Sequence, residues 1–144
     1  FGSDKAQASI NGFTLLELLV SNLESEKLIV VGPPAAISAT YVTEQPPLGG
    51  PLSGIGAALP NIESELVAIF AVDMPFAPRI LQQLESALIN EAALPVDSEG
   101  QVQPLAGVYR TASLRRALES FQTLVNQPVK SLLAKLVQHR QYQR

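Results

Sequence analysis

The chain predicts an α/β layered domain with a largely parallel sheet, and three observations lead there. The first is Leu66-Val67-Ala68-Ile69-Phe70-Ala71-Val72, an apolar run that stops abruptly at Asp73-Met74-Pro75. Its length, β-branched content and sudden end favour a strand buried on both faces, as strands of parallel sheets are. The second is alternation: strand-like runs are separated by segments with helical spacing, the pattern of an α/β layered domain. The third is size. A chain of 144 residues, 47% of them hydrophobic, can bury the core of one domain, so disorder is not expected. No internal repeat or interdomain linker divides it.

The elements follow in order. Phe13-Thr14-Leu15-Leu16-Glu17-Leu18-Leu19 has helical character, with Leu15, Leu18, Leu19 and Leu23 on one face. Thr14 followed three residues later by Glu17 forms a capping-box pattern. Leu28-Ile29-Val30-Val31 is the first clear strand, closed by Gly32-Pro33-Pro34, and residues 39–43 form a short second strand. The turn-rich Gln45-Pro46-Pro47-Leu48-Gly49-Gly50 leads to Pro51, which suits a first helical position because its missing N–H has no partner there anyway. Residues 52–59 are small enough to pack closely as a helix, although each glycine weakens it by about 1 kcal/mol relative to alanine. Residues 78–90 read as a helix with Ile80, Leu81, Leu84 and Leu88 inward. Strands are expected at 93–96 and 104–109, on either side of an Asp97-Ser98-Glu99-Gly100 turn. Helices follow at 113–124 and 128–139.

Charge and composition exclude several classes of function. A net charge of −3, with no basic stripe, argues against non-specific nucleic-acid binding. The absence of cysteine removes disulfides, thiolate metal sites and a cysteine nucleophile, and fits a reducing cytoplasm. No apolar run approaches the roughly 20 residues of a membrane span, and no signal peptide opens the chain. The single histidine, His139, reads as a surface residue near the end of the chain, so a Ser-His-Asp arrangement is not expected. Neither Gly-x-x-x-x-Gly-Lys-Ser/Thr nor Gly-x-Gly-x-x-Gly occurs.

What remains points to phosphate chemistry. Asp73 falls at the carboxyl end of its strand, where open α/β sheets bind ligands, and a carboxylate there can hold Mg²⁺ against nucleotide phosphates. Read alone, an Asp-x-Pro usually caps a turn; the apolar run ahead of it raises the functional reading to even standing. Lys5, in the Gly2-Ser3-Asp4-Lys5 loop, can neutralise phosphate oxygens, although such a lysine is more often merely solvated. The Gly49-Gly50-Pro51 turn lets backbone amides approach a ligand ahead of a helix N-terminus, or is an ordinary tight connection. Glu44, just past a strand end, can accept hydrogen bonds from a base or ribose, which most exposed glutamates do not do. Gln103 is a further candidate for the cleft, whereas Tyr109 and Arg110 read as structural and Arg115-Arg116 as a solvated helix face.

In this order the segments resemble the molybdenum cofactor guanylyltransferases, within the wider nucleotidyltransferase group. The matching pieces are Gly2-Ser3-Asp4-Lys5-Ala6, Leu28-Ile29-Val30-Val31-Gly32, Glu44-Gln45-Pro46-Pro47, Gly49-Gly50-Pro51-Leu52-Ser53-Gly54-Ile55, Ala71-Val72-Asp73-Met74-Pro75-Phe76 and Gln103-Pro104-Leu105. The resemblance covers nearly the whole chain, and the order of the pieces is more specific than any one of them. It implies a single three-layer, Rossmann-like nucleotidyltransferase domain with a mostly parallel sheet. It also implies Mg²⁺-dependent transfer of GMP from GTP to the terminal phosphate of molybdopterin, with cofactor-delivering proteins as partners in the cytoplasm. By the same resemblance Lys5 contacts nucleotide phosphate, Asp73 binds Mg²⁺, and Gly49, Gly50 and Pro51 line the guanine pocket. Glu44 and, by a looser match, Gly32 are further nucleotide contacts. The alternatives are a cytidylyltransferase for molybdopterin, transfer to another phosphorylated small molecule, and a non-catalytic nucleotide-binding domain. The family opens on an apolar strand and a Leu-x-Gly-Gly loop leading to Arg-x-Gly-x-Asp-Lys, and closes on a strand with an Asn-Thr-Pro turn. This sequence starts within the first motif and lacks the last, so it is expected to be incomplete at both ends.

Overall fold

A computed structural model describes residues 8–10, 12–24, 27–44 and 49–142, giving the backbone alone for 9, 10 and 137–142. The capping box forms as the spacing predicts. Thr14 Oγ1 accepts from the Glu17 N–H at 3.0 Å and the Thr14 N–H donates to Glu17 Oε1 at 2.8 Å. Helix α1 (Leu15–Ser21) starts there, behind the short antiparallel pair β1 (Ser9–Ile10) and β2 (Phe13–Thr14), and buries Leu16 and Leu19.

Strands β3 (Ile29–Val31) and β4 (Thr40–Val42) pair in parallel, with Ile29 opposite Thr40 and Val31 opposite Val42. Parallel neighbours ordinarily need a crossover of a dozen or more residues. Here the connection is shorter, and the Tyr41 hydroxyl reaches back into it, 2.5 Å from the Ile37 carbonyl and 3.1 Å from that of Ala35. Helix α2 (Pro51–Ala58) begins with Pro51 as expected and runs into a 3-10 turn, Leu59–Asn61.

The larger sheet is built from β5 (Leu66–Phe70), β6 (Ala92–Ala93) and β7 (Ala106–Arg110), in the order β5-β7-β6. Both outer strands run antiparallel to β7. The mostly parallel sheet of the expectation is therefore not met: among the described residues only β3 and β4 pair in parallel. The physical reason lies in the connections. The 3-10 turn Ala77–Ile80 and helix α3 (Leu81–Ala87) do carry the chain from β5 to a strand of the same direction, β6. After β6, however, a hairpin-like return bridged at Val96 and Val102 inserts β7 antiparallel between the two.

Side chains alternate across β7, as a pleated strand requires. Tyr109 enters the main core with Leu52, Ile55 and Leu59 and with the inner faces of α4 (Thr111–Glu119) and α5 (Ser131–Tyr142). Val108 points the other way, into a cluster with Ala93 and Leu84 backed by Ile80, Leu81 and Leu88, the inward face expected of residues 78–90. Helices thus cover both faces of the sheet. Among the described residues β5 is an outer strand, with Leu66 36% exposed and Ala68 exposed, so its apolar run is not buried on both faces as its composition suggests. Burial on both faces falls instead to β7.

Candidate active site

Asp73 sits where the sequence places it, just beyond β5, exposed in a turn. The Ala71 N–H donates to the carbonyl of Leu105, the residue before β7, at 2.8 Å as the chain leaves the sheet. The turn then closes through Met74 N–H to Ala71 O (3.0 Å) and Ala77 N–H to Met74 O (3.1 Å). Its far side is held by Asn22, whose side-chain amide donates to the Pro75 carbonyl at 3.0 Å.

A second group gathers around α2. Gly50, its N-cap, has φ of +97°, a left-handed conformation that favours glycine, and the Gly49 carbonyl accepts from the Asn126 N–H at 2.6 Å. No side chain caps this helix and no acidic residue occupies its first turn, an arrangement open to an anion. One turn on, Gly54 allows close approach: a Cβ there would stand 3.2 Å from Val31 Cγ1 and 3.4 Å from Glu44 Oε2. Glu44 therefore lies against α2 beside the end of β3. Gly32 follows directly, its N–H donating to the Val42 carbonyl at 2.9 Å. The fold thus brings Gly32, Glu44 and the Gly49–Pro51 turn to one corner. Lys5, the rest of Gly2-Ser3-Asp4-Lys5-Ala6 and Gln45-Pro46-Pro47 lie outside the described residues.

Gln103 departs from its expected place in the cleft. Its side-chain amide donates to Asp97 Oδ2 at 2.9 Å, and Asp97 Oδ1 accepts the N–H groups of Glu99 and Gln101. The residue is tied up in the return between β6 and β7, a contact its position before Pro104-Leu105 does not announce. The sequence does not single out Asn22 or Asn126. The only local signal for Asn126 is that asparagine tolerates the left-handed conformation it adopts, φ of 57°. Tyr109 is structural as expected, fully enclosed with its hydroxyl donating to the Pro104 carbonyl at 2.5 Å. The His139 side chain lies outside the described residues.

Two clefts among the described residues lie away from these candidates. One, of about 240 Å³, is formed by Glu65, Arg110, Thr111 and Arg115 at the end of the sheet opposite Asp73. Another, of about 290 Å³, lies between α2 and α4. Among the described residues no three acidic or imidazole side chains gather to cage a metal. A single exposed carboxylate fits Mg²⁺, which binds through one or two carboxylates together with substrate phosphates.

The architecture is that of the nucleotidyltransferases. The chain aligns over 95% of its length with the crystal structure of molybdopterin-guanine dinucleotide biosynthesis protein A from Archaeoglobus fulgidus, covering 72% of that chain at a TM-score of 0.65 and 20% identity. Residues 1–141 match the MobA-like NTP transferase domain, and the chain belongs to that family. It is 33% identical over 102 residues to a probable molybdenum cofactor guanylyltransferase of Natronomonas pharaonis, a match covering 67% of this chain and 50% of that protein. It is 32% identical over 127 residues to a protein of the same description from Chloroflexus aggregans, covering 79% of this chain and 61% of that protein. The chain thus spans between half and two thirds of the length of these curated relatives.

Proposed function

We propose that the protein transfers GMP from GTP to the terminal phosphate of molybdopterin, releasing pyrophosphate. The observation that carries this reading is the place of Asp73 at the carboxyl end of β5 in a chain of this family, whose relatives are described as molybdenum cofactor guanylyltransferases. In this reading Asp73 holds Mg²⁺, which when bound neutralises the triphosphate and polarises the α-phosphate. The Gly49–Pro51 turn, Gly32 and Glu44 hold the guanine nucleotide, the turn through the Gly49 and Gly50 amides and Glu44 through its carboxylate. Lys5 stabilises charge building toward the leaving group. An oxygen of the molybdopterin phosphate bonds to the α-phosphorus of GTP as the bond to the bridging oxygen breaks. Pyrophosphate leaves with that oxygen.

Transfer of this kind asks the protein for positioning and charge neutralisation rather than a nucleophile, which suits a site without cysteine or a central histidine. GTP, molybdopterin and the proteins that deliver it are the partners of this reading, and the cytoplasm is its setting. Among the described residues no helix is long and apolar enough to cross a membrane. The test is pyrophosphate release from GTP with Mg²⁺ and molybdopterin. Asp73→Asn should lower turnover by about 100-fold or more, and undiminished turnover would sink the assignment of Asp73.

A further inference from the structure

The turn that presents Asp73 is anchored at both ends, and the second anchor comes from a distant helix. On the sheet side it is the Ala71–Leu105 bond. On the other side it is Asn22, the C-cap of α1, which stands 53 residues before Pro75 in the chain. The Asn22 amide nitrogen donates to the carbonyls of Leu18 at 2.9 Å and Pro75 at 3.0 Å. Its Oδ1 accepts from Arg79 Nε at 3.1 Å. The Arg79 guanidinium in turn lies over the Phe76 ring, 4.6 Å from its centroid. Two carbonyls demand a donor and one guanidinium demands an acceptor, so the amide has one orientation that satisfies all three.

We propose that Asn22 is a positioning residue for Asp73: it clamps the Asp73–Pro75 turn to the end of α1 and so fixes where the carboxylate stands. The inference rests on the reading of Asp73 given above. The chemistry singles out asparagine. Aspartate would set carboxylate oxygens against two carbonyls, leucine would keep the shape and lose every bond, and glutamine would carry the amide one methylene too far. Pro75, which has no N–H of its own, is held only through its carbonyl and its buried ring. Loss of the Asn22 bond therefore frees the far end of the turn while the sheet end stays in place.

Amide hydrogen exchange tests the clamp without reference to catalysis. In Asn22→Leu, the Met74 and Ala77 amides should exchange about tenfold faster, while those of Gly54 and Thr111, bonded to Gly50 and Glu65, keep their rates. Ser21→Ala, which removes a hydroxyl bonded to the same Leu18 carbonyl, should change neither set. Equal acceleration everywhere, or none at Met74 and Ala77, would overturn the proposal. In the unsubstituted protein the Asn22 side-chain amide protons should exchange slowly; exchange at the rate of a free amide would overturn it as well. The functional consequence is a split in kinetics: Asn22→Leu should raise the Mg²⁺ concentration for half-maximal pyrophosphate release about tenfold with little change in KM for GTP. An Asp73→Asn protein that keeps its turnover defeats the reading of Asp73, and the exchange data then still decide whether Asn22 holds the turn.

Discussion

Tyr109 illustrates how much a single side chain can report. It is fully enclosed at the middle of the core, and burial pushes its phenol well above the ordinary range. The native state therefore holds that proton more tightly than the unfolded chain does. The resulting stabilisation is complete below the unfolded pKa, about 10, and is lost as pH rises beyond it toward the native value. Chemical denaturation between pH 7 and pH 11.5 should show an alkaline decline that Tyr109→Phe reduces. At pH 7 the same substitution should cost about 1 kcal/mol, because the Pro104 carbonyl loses its donor. An equal alkaline decline in both proteins would assign it to other groups. The sequence marks Tyr109 as structural, and it marks Asp73 as the carboxylate of interest, because both sit at strand ends flagged by nearby apolar residues. It is silent on Asn22, whose three partners include two more than 50 positions away.

Among the elements, β7 bears the tightest packing. A Cβ at Gly107 would collide with Leu94 Cδ2 and come 2.8 Å from the Ala93 carbonyl oxygen. The first contact can yield by rotating a side chain, but the second is backbone of the neighbouring strand and cannot. Gly107→Ala should therefore destabilise the fold by about 3 kcal/mol, at the upper end of overpacking costs, as read from the denaturation midpoint. A loss under about 0.5 kcal/mol would mean that β6 is free to move away. Local spacing made other elements legible. The Thr14–Glu17 box opens α1, Pro51 opens α2, and the inward face of residues 78–90 packs as read. The helix expected over 78–90 is nevertheless split into a 3-10 turn and a shorter α-helix, Leu81–Ala87. The helix expected at 113–124 stops at Glu119, where the N–H and hydroxyl of Ser120 both donate to the Ala117 carbonyl.

For the molecule as a whole, the proposed chemistry predicts coupling between ligand and fold. A nucleotide that binds only the native state, at 100 times its dissociation constant, stabilises by about 2.7 kcal/mol. Thermal unfolding with Mg²⁺ and each of GTP, CTP, ATP and UTP should therefore show a shift with GTP and none with the others. A shift with CTP alone would turn the reading to cytidylyl transfer. No shift with any nucleotide would leave the chain without the nucleotide site proposed for it. Several elements were readable from the chain because they rest on residues a few positions apart: an apolar run ending in Asp73, a capping box, a glycine turn before Pro51; the family was readable as a resemblance in the order of its motif segments. Folding alone inserted β7 antiparallel between β5 and β6, drew Gln103 onto Asp97, set Glu44 against Gly54 and tied the Asp73 turn to Asn22. Those arrangements depend on which surfaces meet when the core closes, and contacts between distant residues leave no periodic trace in the sequence that makes them.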